Sequence, residues 1–189
     1  MAKLVSTTYA DALFETGIEE NTLDDLYDEA LSVRQILESN PDFSRLMNHP
    51  KILREEKEQI MESVFKGRLS DEFTGFLKII VANKRYSEID SILDYFILKV
   101  KDHKKIGIAY VTTPLELTDA QKEAVRTKLL DTTDYVTMEM NYMIDESLIG
   151  GMVIRIGDKV VDSSIRTKLE GLRKELIDIQ LKAANAQAL

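Results

Sequence analysis

Few side chains in this sequence have a type and spacing that chemistry could use, and each has a structural reading beside the chemical one. The two histidines stand apart, His49 before Pro50 and His103 in a lysine cluster, and the chain has no cysteine. A metal site needs three or four convergent ligands, so both histidines read as surface residues. Asp24, Asp25, Asp28 and Glu29 gather carboxylates, but a calcium loop needs alternating oxygen ligands, a central glycine and a terminal acid. A solvated helix face is the better account. Gly150, Gly151 and Gly157 could suggest a phosphate cradle. That motif places its glycines between strand and helix, or before Lys-Ser/Thr, whereas these flank a strand and read as turns and close backbone approaches. Asp145 or Ser163 could serve a hydrolase, but no histidine lies near them in sequence and no Gly-x-Ser-x-Gly elbow surrounds Ser163-Ser164. No catalytic residue, cofactor or metal is expected.

What remains is adhesive. From Ile165 the apolar residues Ile165, Leu169, Leu172, Leu176 and Ile179 fall at i, i+4, i+7, i+11 and i+14. That spacing makes a narrow seam along one side of a helix. Arg166, Lys168, Arg173 and Lys174 accompany it; they read either as a solvated face or as a docking surface for an acidic partner helix.

Composition narrows the classes further. The 189 residues carry a net charge of −8, which argues against a nucleic-acid adaptor built on Lys99–Lys105 and the last helix, because phosphate contacts need clustered cations. No apolar run approaches the roughly 18 residues of a membrane span, so no direct membrane insertion is expected. The stretch Met1–Ser6 resembles neither a signal peptide nor a transit peptide. A chain of this length can bury a core without disulfides.

The elements that must position these residues divide by period. Up to about Lys105 the pattern is helical. Ser6 or Thr7 can cap a first helix with Tyr9, Ala10, Leu13 and Phe14 inward, and a second opens near Asn21-Thr22 with Leu23, Leu26, Tyr27, Ala30, Leu31 and Leu37 on one side. Asn40-Pro41 starts a short third helix. A fourth runs from Leu53 to Phe65, and Ser70 can cap a fifth. In the fifth, Phe73, Phe76, Leu77, Ile79, Ile80 and Val81 cover more than one face, as in a central helix or one that offers a second face to a partner. The sixth carries Ile89, Ile92, Leu93, Phe96, Ile97 and Val100 in regular helical spacing. A six-helix bundle over 1–105 is expected.

After the charged stretch Asp102–Lys105 the period changes. Gly107–Thr113 reads as a strand, and Thr118 with Gln121 forms a capping box for a helix carrying Ala124, Val125, Leu129 and Leu130. Val136, Met138, Met140, Tyr142 and Ile144 alternate as the apolar face of a strand. Met152–Ile156, the turn Gly157-Asp158 and Lys159–Val161 make a hairpin, Asp162 or Ser163 can cap, and the last helix follows. The expected class is α+β multidomain, with β-α-β-β-β-α over 106–189 behind the helical bundle.

Four stretches together resemble one family. Thr8-Tyr9-Ala10-Asp11-Ala12-Leu13-Phe14 is similar to its opening Tyr-Ala-x-Ala-Leu-Phe. Phe76-Leu77, Asn83-Lys84-Arg85, Ile89, Ile92-Leu93 and Phe96 resemble its fifth and sixth helices. Val111-Thr112-Thr113, Leu115, Leu117-Thr118 and Gln121 resemble its linker region. Ile144-Asp145, Ile149–Met152, Ile154–Asp158 and Val161–Ser164 match its signature almost position for position. The family is the δ subunit of F-type ATP synthases, whose mitochondrial counterpart is the oligomycin-sensitivity-conferring protein. The chain departs from the pattern at Thr7-Thr8, where the family has a basic-Pro pair, and at Thr113-Pro114, where it has small residues.

The resemblance implies a non-catalytic stator subunit of the peripheral stalk, one copy per complex, holding the catalytic head against rotation so that proton flow is coupled to ATP synthesis. It implies that the helical domain takes the N-terminal helix of an α subunit in a groove drawing on Tyr9, Leu13, Phe76, Leu77 and Ile80. It further implies that the C-terminal domain takes the C-terminal helices of the b subunits around Leu169, Leu172 and Leu176. The implied location is peripheral, on the cytoplasmic side of a bacterial cell membrane.

Overall fold

The computed structural model describes residues 2–186, with side-chain surroundings from Ser6 to Ile177. Ile179, placed in the seam of the last helix by its spacing, lies outside the described side chains, and Gln187 and Ala188 lie outside the described residues. Among the described residues are eight α-helices and one four-stranded mixed sheet, an α+β architecture. The chain divides into two compact units, Met1–His103 and Lys104–Leu189.

The first unit contains α1 (Ala2–Glu19), α2 (Leu23–Ser39), α3 (Pro41–Asn48), α4 (Arg54–Phe65), α5 (Asp71–Ala82) and α6 (Ile89–His103), with a 3₁₀ turn, Tyr86–Glu88, before the last. Its organising element is α6. The residues Ile89, Ile92, Leu93, Phe96, Ile97 and Val100, spaced to fall on one side, are all buried, and α1 and α2 both pack along this helix. Polar contacts fix the same pairings. Lys99 on α6 pairs with Asp11 on α1 and lies 4.6 Å over the Phe14 ring. Arg34 on α2 donates from Nε to Asp94 Oδ1 at 2.8 Å and stands 3.5 Å from Asp90. That hydrogen bond to Asp94 raises the guanidinium pKa above its usual value.

The ends of α5 show how distant residues finish a helix. Ser70 accepts from the Phe73 N–H at 3.2 Å as its cap, while Glu29 on α2 accepts from the Ser70 N–H at 2.6 Å and from its hydroxyl at 2.8 Å. Donors that helix geometry leaves without partners are thus satisfied across the unit. Lys78 joins α5 to Glu62 on α4 at 2.9 Å.

Several local expectations change here. α1 begins at Ala2, so Ser6 lies within it and is buried rather than capping. Asn40, before Pro41, does not cap through its side chain; its amide turns back to donate to the Ile36 carbonyl at 2.9 Å. On α2, Val33 is buried and Leu31 is exposed, because packing on α6 selects a face slightly rotated from the one read off the leucines. Gly17 serves the corner between α1 and α2: a Cβ there would stand 3.0 Å from Leu26 and 3.1 Å from Leu23.

The second unit contains β1 (Ile106–Thr113), α7 (Asp119–Thr132), β2 (Thr137–Ile144), β3 (Val153–Ile156), β4 (Lys159–Asp162) and α8 (Ile165–Ala186). The sheet order is β2-β1-β3-β4, with β1 parallel to β2 and antiparallel to β3. β1 and β3 are therefore the inner strands, and Ala109, Val111 and Thr113 of β1 are buried. Gly107 lets the strand pass beneath its neighbour, since a Cβ would stand 2.6 Å from Met138 and 2.7 Å from Tyr135. The Thr118–Gln121 capping box is present at the start of α7.

This unit has a small interior. No residue of α7 is buried; Ala124 is exposed, and Val125, Leu129 and Leu130 are half-buried. On β2 only Met138 of the alternating apolar set is buried. Tyr142 reaches Lys122 in the first turn of α7, donating to its carbonyl at 3.3 Å, and two residues on Ile144 is exposed. The period of two is real, but an edge strand longer than the helix above it cannot bury its whole face.

Candidate docking surface

The surface on α8 is built from the segment that leads into it. Gly157 opens the β3–β4 turn at φ +55, a conformation that favours glycine. Gly151, at φ +76, lies so close to the Ser163 carbonyl that a side chain there would collide with backbone. The Ile165 N–H donates to the Gly150 carbonyl at 2.9 Å, and the Ile165 side chain covers Gly150. These contacts fix where α8 starts.

Its cap differs from the expectation. Asp162 accepts from the Ser164 N–H at 2.8 Å and from the Thr167 hydroxyl at 2.7 Å, and buried Ser164 accepts from the Thr167 N–H at 3.2 Å. Ser163 does not cap: its hydroxyl donates to the Met152 carbonyl at 2.9 Å. The Thr167 hydrogen bond, followed by the Ser164 N–H, holds the Asp162 carboxyl below its usual pKa. Both serines and the aspartate are engaged in structure, which accounts for them without a nucleophile.

α8 then presents its seam outward. Ile165, Leu169, Leu172 and Leu176 are 42%, 52%, 56% and 62% exposed. Their 4-3-4 spacing is the heptad spacing by which one helix seats another. Burying a large aliphatic side chain contributes about 1.5–3 kcal/mol, so four left in water in one row form a surface suited to a partner. Lys168, Arg173 and Lys174 beside the row make no ion pair among the described residues, whereas Arg166 pairs with Glu170 at 3.2 Å.

The five positions expected on the first unit are placed differently. Leu13, Phe76, Leu77 and Ile80 are buried members of one core cluster, and half-buried Tyr9 packs against it. The excess apolar character of α5 is thus largely core, with Ile79 its exposed aliphatic residue at 53%. Ile149 of the second unit, outside the expected surface, is 66% exposed. The sequence signal for it was a β-branched residue directly before Gly150-Gly151. His49 and His103 have no metal-ligand grouping around them among the described residues, and His103 stacks edge-on against Phe14 at 5.4 Å. No described helix is long and apolar enough to cross a membrane.

With this geometry in place, comparison with known proteins decides the family. The model of the ATP synthase delta (OSCP) subunit matches residues 5–176. The chain belongs to the ATP synthase delta (OSCP) subunit family. An ATP synthase subunit delta of Lachnoclostridium phytofermentans is 51% identical over 181 residues, covering 96% of this chain and 100% of that protein. One from Oceanobacillus iheyensis is 34% identical, covering 92% of this chain and 96% of its own length. A chain in the mitochondrial ATP synthase hexamer of Toxoplasma gondii shares the fold, with a TM-score of 0.70 at 20% identity over 91% of this chain and 97% of that one. A stator role in the peripheral stalk of ATP synthase follows from the family.

Proposed function

We propose that this δ-family chain is a non-catalytic link with two separate docking tasks. The unit over 1–105, a six-helix bundle, takes the N-terminal helix of an α subunit. Tyr9 lies at the edge of its groove, and Leu13, Phe76, Leu77 and Ile80 shape the groove from beneath. The unit over 106–189 takes the C-terminal helices of the b subunits on Leu169, Leu172 and Leu176. One copy serves each complex, held peripherally on the cytoplasmic side of the cell membrane by these contacts alone. In this way the chain keeps the head from turning with the rotor while protons drive synthesis.

The observation that supports this most directly is the row of exposed aliphatic residues at heptad spacing on α8. A hydrolytic reading on Asp145 or Ser163 would need a nucleophile with a free base, and Asp145 accepts from the Ser147 N–H while the Ser163 hydroxyl donates to the Met152 carbonyl. The test is a pull-down of full-length chain with purified α and b subunits of the same organism. Wild type retains both. The double variant Leu169→Asp, Leu172→Asp loses the b subunits by at least tenfold in affinity, on the scale of interface hot spots, and keeps α. Retention of b by that variant would sink the assignment.

A further inference from the structure

We infer that Ile149 is a purpose-held anchor of the α8 docking surface, gripping a helix whose apolar stripe is flanked by carboxylates. This rests on the reading of α8 as the seat of the stalk helix. The motivating observation is conformational. Ile149 has φ +66 and ψ −41, and the Gly150 N–H donates across it to the Leu148 carbonyl at 2.7 Å. A three-residue turn closed by an i to i+2 hydrogen bond with positive φ is the rare, strained γ-turn. A β-branched residue is among the worst choices for positive φ, and the glycine that would relieve it stands one position away.

The turn does not relax because its flanks are tied. Asp145 accepts from the Ser147 N–H at 3.0 Å, the Leu148 N–H donates to the Asp145 carbonyl at 3.2 Å, and the Leu148 side chain is buried. On the other side the Gly150 carbonyl receives the Ile165 N–H that starts α8, and Arg166 reaches the Ser147 hydroxyl at 3.4 Å. The strain does not serve packing, since the Ile149 side chain is 66% exposed. Strain maintained by its surroundings and spent on exposing an aliphatic side chain points to a contact made only with a partner.

The occupant follows from what adjoins Ile149. The next residue, Gly150, is covered by Ile165, the first member of the exposed α8 row, so Ile149 extends that row at its N-terminal end. Taking Leu169 and Leu176 as one core position of the heptad and Ile165 and Leu172 as the other puts Arg166, Lys168, Arg173 and Glu175 on its flanks, three cations to one carboxylate. Flanking positions choose the partner by charge. Lys168 and Arg173 carry no ion pair among the described residues of a chain that is acidic overall. The geometry therefore suits an amphipathic helix with acidic flanks, not a strand or a second copy of α8.

Three full-length variants, Ile149→Ala, Ile149→Gly and Leu169→Asp, are each titrated with the purified soluble part of the same organism's b subunit and melted alone. The expected result is that Ile149→Ala weakens binding about tenfold. Ile149→Gly weakens it as much while raising the thermal midpoint by about 2–4 °C, because glycine accepts the turn without strain. Wild-type affinity in both Ile149 variants, with binding lost in Leu169→Asp, overturns the role of Ile149 and leaves the α8 seat standing. Wild-type affinity in all three overturns the seat itself. A lowered midpoint for Ile149→Gly would show that the side chain serves the fold and overturn the inference.

Discussion

Glu62 shows how one surface carboxylate can join two helices. It accepts from Lys66 at 2.8 Å within α4 and from Lys78 of α5 at 2.9 Å. The Lys66 hydrogen bond, followed by that from Lys78, lowers its pKa from 4.5 to about 2. A carboxyl depressed on folding is protonated first in the unfolded chain, so its contribution is present above the ordinary glutamate range and is lost as pH falls through about 2. The carboxyl carbon shift of Glu62 should accordingly stay constant from pH 7 down to 3.5, where ordinary glutamates have already moved. In Glu62→Gln the α4–α5 pairing should lose its dependence on acid as pH falls from 4.5 to about 2. A Glu62 midpoint near 4.5 would show that neither lysine holds it in solution.

At the scale of elements, α6 and α8 use similar apolar spacing for opposite ends. α6 has neighbours on it, α1 and α2, and buries its whole row; α8 leaves its row in water. Because cations flank the α8 row, association with an acidic helix should weaken as salt rises. Surface charges are screened beyond about 10 Å at 0.1 M salt and beyond about 3 Å at 1 M. Titrations at about 50 mM and about 500 mM salt should show the weaker binding at the higher salt. Lys168→Gln with Arg173→Gln should flatten that dependence with the apolar row intact. Unchanged salt dependence in the double variant would show that the flanking charges are only a solvated face.

At the scale of the whole molecule, the two units are built to different standards. The first has a continuous core to which every one of its helices contributes; the second has few buried side chains and a helix, α7, with none. Amide hydrogen exchange should therefore be slowest in α6 and fast throughout α7, since local opening follows how little apolar contact holds an element. Exchange in α7 as slow as in α6 would contradict that ordering.

The sequence by itself determined the parts whose causes are local. The row of α6, the Thr118–Gln121 box, the Ser70 cap and the Gly157-Asp158 turn each follow from a few adjacent residues and are all present in the fold, whereas the row of α2 is rotated from Leu31 to Val33. The signature from Ile144 to Ser164 was legible for the same reason, as a run of turn and cap residues in fixed order. Only tertiary structure decided which apolar residues become surface. Leu77 and Leu172 are equally hydrophobic and equally helical, yet one is 1% exposed and the other 56%, because burial depends on what distant segments lie alongside. The place of β1 between β2 and β3, and of β2 and β4 at the edges, was likewise set by pairing across the chain. So was the turn at Ile149. No propensity favours its φ, and it persists because residues on both sides are tied to elements that form elsewhere in the fold.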